Sequence, residues 1–137
     1  MNFGAITIGR NEGERLRWCL KSLSSVAATI VYVDSGSTDG SLQWARDQRV
    51  EVIDLDMAAP FTAARARNAG FRRLRKMAPD LRYVQFVDGD CELTADWPEN
   101  ALSFLESHPK VKAGQNCHGG VVAKIPEDIS VRVSISR

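Results

Sequence analysis

Cysteine is scarce in this 137-residue chain and poorly placed for cross-linking: there are three, Cys19, Cys91 and Cys117. An odd count with no CxxC pair fits neither a disulfide framework nor a zinc site. Reduced thiols in a cytoplasmic protein are the simplest reading, and peripheral contact with a membrane is compatible with it. Charge of one sign is also lacking. The formal net charge is +1, which argues against a dedicated nucleic-acid binder. No apolar run reaches the roughly 18 residues of a membrane-spanning helix. The opening "MNFGAITIGRNE" has neither a basic n-region nor a long apolar h-region, so no signal peptide is expected.

Several catalytic signatures are missing too. No GxGxxG follows the first apolar run, which excludes a typical dinucleotide-binding domain, and no GxxxxGK[ST] phosphate loop is present. There is no GxSxG elbow. The two histidines, His108 and His118, form no HxxxH pair; His118 is a weak metal candidate, and His108, before Pro109, reads as a helix-end residue. A calcium loop starting at Asp34 would need Gly at 39 and an acid at 45, but Asp39 and Ala45 stand there.

What is present is a soluble, globular composition, 44% hydrophobic and 26% charged, long enough for one domain with a real core. Short apolar runs alternate with helical patterns. Residues 3–9, 29–34, 50–55 and 82–88 read as strands, rich in β-branched and aromatic residues. Residues 11–25 carry Leu16, Cys19, Leu20 and Leu23 on one helical face. Helices are also expected over 39–48, capped by Ser37 or Thr38, from Pro60 to Met77, and over 95–107 with Pro98 in the first turn. The signal weakens beyond Lys110. Strand–helix alternation predicts an α/β fold, a mostly parallel sheet with helices on both faces. A sheet ending at its fourth or fifth strand would leave an unpaired edge, from which self-association is expected.

In such sheets the ligand crevice lies beyond the carboxyl ends of the strands. Just past those ends come Gly9-Arg10-Asn11-Glu12, Asp34-Ser35-Gly36-Ser37 and Asp88-Gly89-Asp90. Two carboxylates one residue apart can reach a single hard cation, although Asp and Gly are also ordinary turn residues. The small residues of "VDSGSTDGS" would let a ligand ring approach the backbone, or simply make a turn into a helix. Charge is segregated locally: Arg65, Arg67, Arg72, Arg73, Arg75 and Lys76 follow one another without an acid, and six acids lie from Asp88 to Glu106 without a base. Arg65 and Arg67 fall early in a helix beside the crevice, where cations suit phosphates; the later ones read as a solvated face. Cys91 reads as packing beneath the site, and Trp18, Trp44 and Trp97 as helix packing residues.

The order "TIGRNEGERL", "VDSGSTDGS", "ARARNAG", "VQFVDGD" resembles the N-terminal half of family 2 glycosyltransferases, which have the GT-A fold, over about residues 3–110. The resemblance implies a UDP- or GDP-sugar donor, a divalent cofactor (Mn²⁺ or Mg²⁺), and transfer of the sugar with inversion to an acceptor hydroxyl. It implies that Gly9, Arg10, Asn11 and Glu12 border the base and that Asp34 bonds the base or ribose. Arg65 or Arg67, with Asn68, would complete the nucleotide pocket. Asp88 would lie near the ribose and the metal's waters, and Asp90 would bind the metal. The family continues into an acceptor half bearing a general base. The text after Gly114 does not resemble it, so that half is expected to be missing, and neither Glu127 nor Asp128 is assigned as the base. Two alternatives follow: a nucleotide-binding or interaction domain without catalysis, and a nucleotidyltransferase, for which "GRNEGER" is a poor version of the usual loop.

Overall fold

The computed structural model describes residues 3–115 and 120–125. Its elements run β1 (Phe3–Gly9), α1 (Glu14–Ser24), β2 (Thr29–Asp34), α2 (Ser41–Arg46), β3 (Glu51–Asp54), α3 (Ala63–Met77), β4 (Tyr83–Asp88), α4 (Trp97–Ser107), β5 (Ala113–Gln115) and β6 (Val121–Lys124). Among the described residues they form one six-stranded sheet in the order β3-β2-β1-β4-β6-β5. The first four strands in that order are parallel, as expected; β6 pairs antiparallel with β4, and β5 antiparallel with β6.

Alternation along the strands decides which helix covers which face. Ile6 and Ile8 of β1, with Val31 and Val33 of β2, meet Ala66 and Leu74 of α3. Ala5, Ile30 and Tyr32 point the other way, onto the Leu16, Cys19, Leu20 and Leu23 stripe of α1 and Ala45 of α2. Phe3, Tyr83 and Val122 pack under Ala101, Leu102 and Leu105 of α4. Helix α3 lies close to the sheet because Gly70 faces it: a Cβ there would come within 2.6 Å of Ile6 Cγ2.

Two expectations need correction. The helix after β2 begins at Ser41, not 39, and neither Ser37 nor Thr38 caps it. Gly40 precedes it in the left-handed region (φ 87°), and Asp39 Oδ1 accepts from Ser41 N–H. Helix α3 starts at Ala63 rather than Pro60, because Thr62 caps it by accepting from Arg65 N–H at 3.0 Å. Beyond β4 the sheet continues through β6, paired with it from Tyr83↔Lys124 to Phe86↔Val121, so its outer strands are β3 and β5. The edge strand β3 is four residues long, with Glu51 and Asp54 at its ends paired to Arg73 and Arg46. Short, charged edges resist pairing with a second sheet.

Candidate active site

The parallel register brings the strand ends level. Gly9 stands opposite Asp34, Asp34 opposite Asp54, and Ile8 opposite Asp88. The loops beyond β1, β2 and β4 therefore emerge side by side. Gly89 N–H donates to Ile8 O at 2.8 Å, and a Cβ on Gly89 would stand 3.0 Å from that same oxygen. This close approach to β1 explains the small residue between the two acids.

Asp88 and Asp90 are treated differently. Arg67 reaches from the second turn of α3 and donates to Asp88 Oδ1 at 3.0 Å. Asp90 is exposed, and Cys91 Sγ–H donates to its Oδ1 at 3.4 Å. Glu12 leans in from the β1–α1 loop. Its carboxyl is pushed above the usual range, first by burial and then by Asp90, Asp88 and Asp39, with Arg15 opposing. Its Oε2 is buried 3.2 Å from Arg15 Nη2, a charge contact without hydrogen-bond alignment. Ser35 Oγ, past the end of β2, is also buried without a hydrogen-bond partner. Buried oxygens without a hydrogen-bond partner are uncommon, and both lie just past strand ends.

Asp34 is fully buried. Its Oδ2 accepts from Tyr32 O–H and its Oδ1 from Ser37 N–H, both at 2.8 Å. Burial and the bond to Asp34 push the Tyr32 phenol upward, so it stays a donor. Gly9 and Asn68 are partly buried and Arg10 is exposed. Arg65 is not brought to the acids; its guanidinium donates to the carbonyls of Asp56 and Ala59, fastening the loop between β3 and α3. The structure thus joins Arg67, not Arg65, to the carboxylates.

Sequence reasoning missed several contributors. Ser37, Thr38 and Ser41 accept or donate across the β1 and β2 loops. Tyr32 could have been found from its place two residues before Asp34, on the same strand face. Trp97, read as packing, also donates from Nε1 to buried Gln85 Oε1 at 2.9 Å. Burial pushes the Cys19 thiol to about 12, and burial with the bond to Asp90 pushes Cys91 to about 11, so neither is an activated nucleophile. Cys117, His118, Glu127 and Asp128 lie outside the described residues. A hollow of about 600 Å³ bordered by Arg75, Arg82 and Lys124 lies away from these strand ends. Arg75 and Lys124 there are bonded to the backbone carbonyls of Pro79, His108 and Pro109.

The mixed six-stranded sheet, with carboxylates gathered beyond β1, β2 and β4, matches the GT-A glycosyltransferase fold. Solved structures of that class match closely in shape. TarS 1–349 from S. aureus superposes with a TM-score of 0.65 at 18% identity, over 90% of this chain and 47% of its own. Glucosyl-3-phosphoglycerate synthase from Mycobacterium tuberculosis, solved with Mn²⁺, UDP and glucosyl-3-phosphoglycerate, gives 0.58 at 19% identity, over 83% and 43%. Mannosyl-3-phosphoglycerate synthase from Rubrobacter xylanophilus gives 0.57 at 14%, over 90% and 54%. The chain therefore spans about half the length of these solved proteins. No curated protein matches it. The model for Glycosyl transferase family 2 matches residues 5–130, and the chain belongs to that family. Among the described residues no helix is long and apolar enough to cross a membrane.

Proposed function

We propose that the crevice beyond β1, β2 and β4 binds a nucleotide-diphosphate sugar with a divalent metal, as the donor for inverting transfer to an acceptor hydroxyl. The observation that carries this reading is the division of labour in the DGD turn. Asp88 is held by Arg67, which leaves Asp90 as the outward carboxylate.

The donor set fits a metal that arrives with its substrate. Among the described residues no three acidic, histidine or cysteine side chains converge to hold a metal by themselves. Mg²⁺ and Mn²⁺ commonly take one or two carboxylates and fill their remaining positions with waters and phosphate oxygens. Asp90 would hold the metal directly, with Asp88 near its waters and the ribose. When bound, the metal would stabilise charge on the diphosphate leaving group. Gly9, Arg10 and Glu12 border the base, and Asn11 stands in the same loop, bonded to Ser37 and Thr38. Asp34 lies buried beneath the pocket and shapes it through Ser37, whose N–H donates to its Oδ1. Arg67 and Asn68 close the far side. The mycobacterial neighbour's Mn²⁺ and UDP agree with this chemistry.

Calorimetric titration with UDP and GDP, each with Mn²⁺ and then with EDTA, tests it. Binding should require the metal and should vanish in Asp90→Ala. Unchanged affinity in that variant would remove the site assignment. Metal-dependent binding without sugar transfer to any acceptor would make the chain a donor-binding module.

A further inference from the structure

Asn11 is exposed, yet among the described residues it is the single non-glycine with positive φ, 53°. Asparagine tolerates that conformation better than most residues, but it is still disfavoured and calls for a local cause. The cause lies in the neighbouring loop. Asn11 N–H donates to Ser37 Oγ at 2.9 Å, and Asn11 Oδ1 accepts from Thr38 N–H at 2.7 Å. The residue thus bonds in both directions to one short stretch beyond β2.

We propose that Asn11 is a positioning residue, a clasp that holds the β2–α2 loop against the β1–α1 loop and so sets the fit of the donor pocket. This rests on the donor-site reading above. Three features support it. The ladder pairs only as far as Gly9 and Asp34 and makes its last bond from Ser35 N–H to Gly9 O at 3.0 Å, so it gives Ser37 and Thr38 no hold. Ser37 is gripped from two sides, its N–H by buried Asp34 and its hydroxyl by Asn11. A line of bonds therefore runs from Tyr32 in the core, through Asp34 and Ser37, to Asn11 at the rim. The same loops border a hollow of about 240 Å³ between Gly13, Arg17, Asp39, Gly40 and Trp44. The Gly13 N–H to Ser41 Oγ bond, at 3.3 Å, is long.

The clasp differs from direct contact with the ligand in which atom matters. Oδ1 already accepts from Thr38, and the side-chain NH₂ is the group left free to donate to a ligand. Asn11→Gly keeps the positive φ and the backbone bond to Ser37 but deletes the Oδ1 half of the clasp, the bond to Thr38. Asn11→Asp keeps the oxygen and deletes the NH₂. The full chain would be titrated with Mn²⁺–UDP and Mn²⁺–GDP in salt high enough to screen the added charge, and Thr38 amide exchange followed by NMR. The Gly variant should lose about tenfold in nucleotide affinity, the loss of one net hydrogen bond at the upper end of its usual worth, and Thr38 should exchange faster. The Asp variant should stay close to the parent in both. Unaltered affinity in the Gly variant, or an Asp variant as weak as the Gly variant, overturns the proposal; the second result would assign the NH₂ to the ligand. If the parent chain binds neither nucleotide while Thr38 still responds to Gly and not to Asp, the donor-site reading and the pocket role both fail, and the clasp is only a loop lock.

Discussion

Replacing Arg67 by Met keeps an unbranched apolar stem and removes the guanidinium. The side chain of Arg67 is 16% exposed and that of Asp88 41%, and their 3.0 Å contact is a charge-assisted hydrogen bond. Fully exposed pairs contribute about 0.2–1 kcal/mol. Hydrogen bonds to charged groups contribute about 1.5–3 kcal/mol. With one partner sheltered and the other half in water, the pair should contribute about 1 kcal/mol. Urea unfolding of Arg67→Met, Asp88→Asn and the double variant should show a coupling of that size. Simple additivity within about 0.3 kcal/mol would refute the pair. The loss also has a functional sign. Arg67 is the cation bonded to the Asp88 end of a group of acids that includes Glu12, Asp90 and Asp39. Without it, free Mn²⁺, followed by electron paramagnetic resonance, should bind more tightly, because the acids lose their internal counter-ion. UDP affinity should fall. Parallel changes in the two affinities would contradict the assignment of Arg67 to the nucleotide side.

Gly70→Ala should destabilise the fold by about 1–3 kcal/mol, because its methyl meets Ile6 at 2.6 Å and Val33 at 3.1 Å; an unchanged thermal midpoint would show that α3 can lift off the sheet at little cost. The raised carboxyl of Glu12 has an unusual sign. The folded chain holds that proton more tightly than the unfolded chain, whose value is near 4.5, so this group costs stability as pH rises from about there through its folded value. Glu12→Gln should therefore be more stable than the parent at pH 7 and indistinguishable from it below that window, read as urea midpoints. Cys19 and Cys91 should react slowly with a disulfide reagent at pH 8 in the native Cys117→Ser variant and quickly in urea, since burial raises both thiols; fast native labelling of Cys19 would mean that α1 opens readily.

The parallel half of the fold was legible because each element carries a strong local period. The α1 stripe is buried at every position that the 3.6-residue spacing picked, Leu16, Cys19, Leu20 and Leu23, and β1 and β2 end where their apolar runs end. Strands β5 and β6 were not legible, because three and four residues are too few to show alternation. Helix starts were misplaced for a related reason. Pro60 and Thr62 are both plausible openings of α3, and only the bond from Arg65 N–H to the Thr62 hydroxyl decides between them.

The site divides along the same line. Strand ends are a property of the backbone pattern, so the sequence could place Gly9, Asp34 and Asp88 at one edge. Which atom each side chain engages depends on neighbours far along the chain, and no local pattern carries that. Arg65 and Arg67 look interchangeable in "ARARNAG", yet two positions on a helix differ by roughly 200° in facing. One therefore fastens a loop while the other meets Asp88. Asp34 and Asn11 show the converse. Both were read as facing a ligand, and in the folded chain both are bonded to Ser37. A polar residue at a strand end can serve a ligand by touching it or by holding what touches it. Only the partner atom tells the two apart, and for Asn11 that atom is the Thr38 amide, which makes exchange at that amide the measurement that separates the roles.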